Sequence, residues 1–330
     1  VSEALREDSR SVVDVPIGLD DVRKARERIA GLVHRTPLLT SRTLSQMTNT
    51  DLRLKAENLQ RTGSFKPRGA FNAVMQLTSE ERRRGVVTFS AGNHGQALAY
   101  AATQAGVACT VFMSKNAVPA KVAAIRGYGG EVRFGEGINE AYAAMEAFIR
   151  ETGATFVSPF AQPPIIAGQG TVGLEILEDD PEVEQIVVAV GGGGLIAGIA
   201  LAAKALRPDI RIVGVEPEGS AAVYRALEAG KPVRLERNET IADGLAAPFT
   251  EELPLAIIQR YVDDVVLVTD DEILAALRLT LERTKLLVEP AAAAAVAALL
   301  TGKAAIPHGA RTVVVLSGGN IGIDRLKAVL

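Results

Sequence analysis

The sequence predicts an α/β protein, and three observations carry the prediction. Short β-branched runs alternate with alanine-rich stretches of helical spacing, glycine-rich turns join the two, and the chain is long and apolar enough for a sizeable core. With 330 residues, 48 % of them hydrophobic, it can hold two domains at the usual ~100–200 residues each.

The elements follow in order. "VVTFS" (86–90) precedes "HGQALAYAATQAG", "ACTVFM" (108–113) precedes "PAKVAAIRGYG", and "QIVVAVGGGG" (185–194) precedes "LIAGIALAAKAL". "RIVGVE" (211–216) then precedes "SAAVYRALEAG", and "RTVVVLSGG" (311–319) closes the series. Strand followed by helix, repeated, implies parallel sheets with helices on their faces and ligands at the strand ends. No fixed-period repeat or low-complexity linker marks a boundary. The strand groups place a small domain at 81–156, inserted into a larger one made of 1–80 and 157–330, with a site in the cleft between them.

Composition narrows the partner. Thirty-six basic and 39 acidic residues leave a net charge of -3, which gives no reason to expect nucleic acid or an anionic membrane. A small molecule is the expected ligand. The single cysteine, Cys109, lies in the apolar run "VACTVFM" and reads as a buried strand residue. With no intrachain disulfide possible, a reducing cytoplasm is the expected compartment. The opening "VSEALREDSRSVVDV" lacks the apolar stretch of a signal peptide and reads as a loosely ordered lead-in. The stretches "AAAAAVAALL" and "LIAGIALAA" fall short of the ~20 residues a bilayer demands, so no span is expected.

Four segments carry chemistry. In "IVVAVGGGGLIAGIALAAKAL" a strand leads through Gly191, Gly192, Gly193 and Gly194 into a helix beginning near Leu195. Consecutive amides without side chains can form a nest for a phosphate at a helix N-terminus, and a tight, closely packed turn is the plainer explanation. Gly192, Gly194 and Ala197 also satisfy the dinucleotide pattern G-x-G-x-x-A, with Glu216 about 20 residues on, where a ribose carboxylate would stand. An NAD-dependent oxidoreductase is therefore a rival reading, and a cofactor-free binding protein is another.

The second segment, "TGSFKPRGA" (62–70), places Lys66 between Phe65 and Pro67. It could be a surface lysine at a helix start. The apolar ring beside it and the positive end of the following helix instead predict a lowered pKa and a nucleophilic amine. An amine that attacks a carbonyl, joined to a phosphate nest, points to pyridoxal 5'-phosphate. In the third, "FSAGNHGQALAYAA", Asn93 can hydrogen-bond a phenolic oxygen, while Ser90 and the amides of Ala91, Gly92 and Asn93 can hold a carboxylate. His94 is a general-base candidate and equally a structural donor. In the fourth, "VVVLSGGNIG", Ser317 ends a strand with its hydroxyl free to reach a ring nitrogen.

Taken together and in order, "TGSFKPRGA", "SAGNHGQALA", "GGGGLIAG" and "SGGN" resemble the type II fold family of pyridoxal phosphate enzymes, which is tryptophan synthase β-like. Within it the likeness is to threonine/serine dehydratases and serine racemases. It spans "VHRTPLLTS" to "LSGGNIG", with "IAGQGTVGLEI" and "ETIADGLA" as further matches. The resemblance implies two open twisted parallel-rich sheets flanked by helices and a homodimer. It implies Lys66 as the Schiff-base lysine, Phe65 on the cofactor face, Asn93 on the phenolic oxygen, Gly191 to Leu195 on the phosphate and Ser317 on the pyridine nitrogen. The substrate carboxylate falls to Ser90, Ala91, Gly92, Asn93 and His94. It further implies loss of the β-hydroxyl from threonine or serine, giving 2-oxobutanoate or pyruvate with ammonia. Racemisation and elimination from a specialised hydroxyamino acid such as 3-hydroxyaspartate are the alternatives.

Two departures, one further match and one boundary matter. The racemase form of the motif reads "SSGNH", and its second serine is here Ala91, which cannot carry a proton. Glu216 matches the carboxylate of a family site for Mg2+ or Ca2+, but Ala222 stands where a second acid is often found. Glu289, in "LLVEPAAAAAVAALL", matches a glutamate near the cofactor and equally reads as a helix start. The regulatory domain of biosynthetic threonine deaminases has no counterpart after "SGGNIGIDRL", so isoleucine feedback is not expected.

Overall fold

A computed structural model describes residues 15–329. The reading of 1–14 as part of a loosely ordered lead-in lies outside them. Among the described residues ten strands occur: β1 (Leu38–Thr40), β2 (Asp51–Lys55), β3 (Val86–Phe89), β4 (Cys109–Ser114), β5 (Glu131–Gly135), β6 (Thr155–Phe156), β7 (Gln185–Ala189), β8 (Arg211–Pro217), β9 (Asp264–Val268) and β10 (Arg311–Val315). They form a six-stranded sheet in the order β1-β2-β10-β7-β8-β9 and a four-stranded sheet in the order β5-β4-β3-β6. Only the β1–β2 pair is antiparallel. The α/β class with parallel-rich sheets is thus what the chain adopts.

Burial explains the strand composition. Every residue of β7 is buried, as expected of a central parallel strand covered on both faces. Its side chains alternate: Val187 and Ala189 join a core with Leu52, Leu54 and the alanines of helix Pro290–Leu300. Ile186 and Val188 join another with helices Pro163–Asp179 and Gly194–Leu206. The four-stranded sheet has its own core, where Val86, Val111 and Ile125 meet helix Asn93–Gln104. Ile29, Phe71, Val74, Val157 and Ile165, from outside residues 81–156, pack into that same core. The alanine run is a buried helix, and no described helix is long and apolar enough to cross a membrane. Cys109 is buried and free, and burial pushes its thiol up to about 12.

Three loops leave the carboxyl ends of β3, β7 and β10, the ends at which open parallel sheets receive ligands. These loops contain Ser90–Asn93, Gly191–Gly193 and Ser317–Asn320.

Candidate active site

Lys66 stands at the N-cap of helix Pro67–Val74, with proline at the first helical position as its sequence suggests. The turn before it is stitched to the end of β10: the Phe65 amide donates to the Ser317 carbonyl at 3.1 Å, and the Gly319 amide to the Gly63 carbonyl at 2.9 Å. Thr62 and Gly63 both have positive φ, 58° and 73°. A Cβ on Gly63 would lie 2.4 Å from Asn320 Oδ1, so glycine is needed there both for conformation and for contact. The Lys66 amine donates to the Pro159 carbonyl at 2.7 Å and lies 5.0 Å from the Phe65 ring centre. Removal from water lowers its pKa to about 8, against the opposing charge of Glu289. The lowered pKa expected from the sequence is therefore present, with burial as its cause.

The glycine run joins β7 to helix Gly194–Leu206, with Gly193 at its N-cap and φ at 92°. The amides of this helix's first turn have no carbonyl partner within the helix, so they can bind an anion. The turn is also closely packed. A Cβ on Gly192 would lie 2.4 Å from the Phe160 ring, and one on Gly194 would lie 2.3 Å from the Phe160 carbonyl. Close packing thus accounts for glycine at Gly192 and Gly194, and the free amides leave room for the phosphate reading as well. Leu195 is buried under the turn.

The loop after β3 brings Ser90, Ala91 and Gly92, all half-buried, to the start of helix Asn93–Gln104. Asn93 is held at both ends of its amide, donating to Glu289 Oε1 at 2.7 Å and accepting from Asn320 Nδ2 at 2.8 Å. Asn320 also donates to the Thr62 carbonyl at 2.7 Å, so one side chain ties three of the four motifs. It closes the "SGGN" motif, but its type alone does not announce this role. Burial pushes the Glu289 carboxyl up to about 7, the Asn93 bond opposing. His94 is buried with Nε2 3.0 Å from the Val157 carbonyl. That oxygen can only accept, so Nε2 carries the proton. Burial, then the charge of Lys66, lower its pKa to about 3. The imidazole is neutral with its one N–H taken, so a carboxylate here would meet the His94 amide rather than its ring.

Glu216 has a structural role in addition to those its position in sequence suggests. It is fully buried at the end of β8, accepting from the Val223 amide at 2.9 Å and the Tyr224 amide at 2.7 Å. Both oxygens therefore cap the first turn of helix Ala222–Ala229. Burial pushes its carboxyl up to about 8. Among the described residues no group of three or more His, Cys, Asp or Glu could hold a metal ion.

The sequence profile described as pyridoxal-phosphate dependent enzyme matches residues 29–318. The chain belongs to this family. The enzyme is 42% identical over 315 residues to an L-threonine ammonia-lyase of Thermotoga maritima, covering 95% of this chain and 78% of that one. It is 40% identical over 318 residues to the catabolic L-threonine dehydratase of Escherichia coli, covering 96% and 97%. The solved structure of maize serine racemase superposes with a TM-score of 0.91 at 38% identity, covering 94% of this chain and 96% of that one.

The residues of the cleft fit pyridoxal phosphate. Lys66 supplies a low-pKa amine, and the glycine run supplies a helix N-terminus with unpaired amides for a phosphate. The hydroxyls of Thr62 and Ser64 and Nδ1 of His94, all buried, have no hydrogen-bond partner among the described residues. Buried unpaired polar atoms beside Lys66 and in the adjoining helix start are compatible with a polar guest.

Proposed function

We propose that the enzyme is an ammonia-lyase for β-hydroxy amino acids, with threonine first and serine second, releasing 2-oxobutanoate or pyruvate and ammonia. The observation that carries this reading is the pairing of one low-pKa amine, Lys66, with a methyl group, Ala91, where racemases of this family carry a serine. The names of the Thermotoga and Escherichia relatives support the same substrate.

Lys66 would hold the cofactor, Gly191 to Leu195 its phosphate, Asn93 its phenolic oxygen and Ser317 its ring nitrogen, with Phe65 against its face. When bound, pyridoxal phosphate supplies a conjugated sink for the charge that develops at the substrate Cα. Ser90 and the amides from Ala91 to His94 bind the α-carboxylate at a helix N-terminus. Neutral Lys66 removes the Cα proton, which demands a base whose pKa lies near working pH. Serine at the ring nitrogen is a neutral partner, which favours prompt loss of the β-hydroxyl over long-lived carbanion chemistry. Racemisation shares the proton removal but then needs a proton donor on the other face, and Ala91 offers none.

The proposal extends to a homodimer in the cytoplasm and to residues 81–156 as the substrate domain. Its test is Lys66→Ala. That variant should keep its circular dichroism, fail to develop a visible band with pyridoxal phosphate and show no turnover. A variant that retains turnover would end the reading.

A further inference from the structure

Arg68 stands two residues after Lys66, and its guanidinium is wholly buried, an uncommon place for arginine. Nε and Nη2 donate to the two oxygens of Glu57, each at 2.8 Å. Nη1 and Nη2 donate to those of Glu175 at 2.7 and 2.8 Å. Further bonds reach Thr171 Oγ1 at 3.1 Å and the His34 carbonyl at 3.3 Å. Lys55, equally buried, donates to Glu175 Oε2 and to the Thr36 carbonyl, both at 2.7 Å. The Thr36 hydroxyl donates to Glu57. Two cations face two carboxylates inside the cluster, and a third carboxylate, Asp179, itself paired with Arg35, lies 3.7 Å from the Lys55 amine. Burial raises the Glu175 carboxyl, but Arg68 and Lys55 together bring it below its ordinary value.

Stability alone does not account for such a cluster. Replacing a buried ion pair or triad with apolar residues of similar volume is often neutral or stabilising, by about 1–4 kcal/mol. Its location offers another reason. Helix Pro67–Val74 puts Phe71 and Val74 into the core of the four-stranded sheet, and helix Pro163–Asp179 reaches both cores, with Ile165 in that one and Ile166, Val172 and Ile176 in that of the six-stranded sheet. The two helices touch through their backbones, since a Cβ on Gly168 would lie 2.6 Å from the Arg68 carbonyl and from the Gly69 Cα. Gly168, Thr171 and Glu175, spaced by three and four, present one helix face to Arg68. A glycine contact sets the separation but leaves sliding free, whereas a two-pronged guanidinium fixes register. The same helices carry the two groups whose distance defines the amine: Lys66 begins one, and Pro159 lies just before the other, 2.7 Å away.

We propose that the Arg68–Glu57–Glu175–Lys55 network is a positioning device that holds the Lys66 amine at one place in the cleft by locking the helix that follows it against the helix Pro163–Asp179. The inference rests on the reading of Lys66 as the reactive lysine, but it can be tested on the lysine itself. The titratable groups that bear on that amine are Glu289 and neutral His94. Arg68 acts on it only through the backbone.

The experiment is competitive acylation of the cofactor-free chain across pH, read by mass spectrometry on the peptide containing Lys66, with melting temperature measured alongside. Arg68→Lys keeps the charge but loses the fork. A fourfold variant, Lys55→Met, Glu57→Gln, Arg68→Met and Glu175→Met, removes the network whole. The wild-type midpoint should lie at about 8. In both variants it should rise by about one unit, with about tenfold slower capture of pyridoxal phosphate at neutral pH, and the fourfold variant should keep its melting temperature. Folded variants with an unchanged Lys66 midpoint would overturn the proposal. Unfolding of the fourfold variant would overturn it too, by showing the network to be a stability element. Should wild-type Lys66 capture no cofactor at all, the functional reading fails while the comparison of midpoints still decides this one.

Discussion

At the scale of single residues, the decisive contrast is between Lys66 and Ala91. Lys66 has the environment of a base: partial burial disfavours its charged form and its partner is a carbonyl. Ala91 is half-buried at the end of the loop after β3 and can neither give nor take a proton. Ala91→Ser is therefore expected to introduce racemisation of serine, measurable by chiral chromatography of recovered substrate, while elimination persists. A variant that eliminates without any racemisation would remove Ala91 from the argument. Lys66 and the glycines could be picked out from sequence because their type is unusual for their place. Asn320 and Arg68 could not, since an asparagine after glycines and an arginine in a helix are ordinary until the fold shows what they touch.

At the scale of elements, the five strands recognised in the sequence are β3, β4, β7, β8 and β10, each a β-branched run with a turn or a helix after it. Four of the remaining five lack that signal for different reasons, while β9, "DVVLV" ahead of helix Asp270–Thr284, carries it unremarked. Glu131 and Arg133 make β5 a charged, exposed edge; β6 has two residues and β1 three. The sequence of β2, "DLRLK", alternates in charge. Glu216 belongs to this scale as well, because it caps the first turn of helix Ala222–Ala229. Its carboxyl titrates at about 8 folded, against an ordinary 4.5. Between those values the folded state holds a proton that the unfolded state has lost. The stability is present below about pH 4.5 and is lost as pH rises through about 8. Glu289, raised to about 7, contributes in the same direction. Urea denaturation of Glu216→Gln should show a shallower loss of stability from about pH 5 to pH 8 than the parent. An unaltered slope would mean that Glu216 does not carry a buried proton.

At the scale of the molecule, polar contacts join the loops near the Lys66 turn, while apolar packing by Phe71, Val74 and Ile165 joins the larger part of the chain to the four-stranded sheet. Asn320 joins the Lys66 turn to Asn93, Glu289 receives Asn93, and Lys121 of helix Pro119–Gly127 pairs with Asp243 at 3.0 Å. The α/β class was legible from alternating runs, and the two sheets from the family resemblance. The way helix Pro67–Val74 serves the core of the four-stranded sheet was not, because its amphipathic pattern does not say which sheet it faces. The proposed function needs one amine beside one phosphate site, so its direct test is both spectroscopic and chemical. The visible spectrum of the purified protein with pyridoxal phosphate should be recorded before and after L-threonine, with 2-oxobutanoate and ammonia assayed in the same cuvette. The account predicts a yellow protein whose band changes on addition as both products form. A protein that stays colourless after reconstitution with pyridoxal phosphate would contradict it.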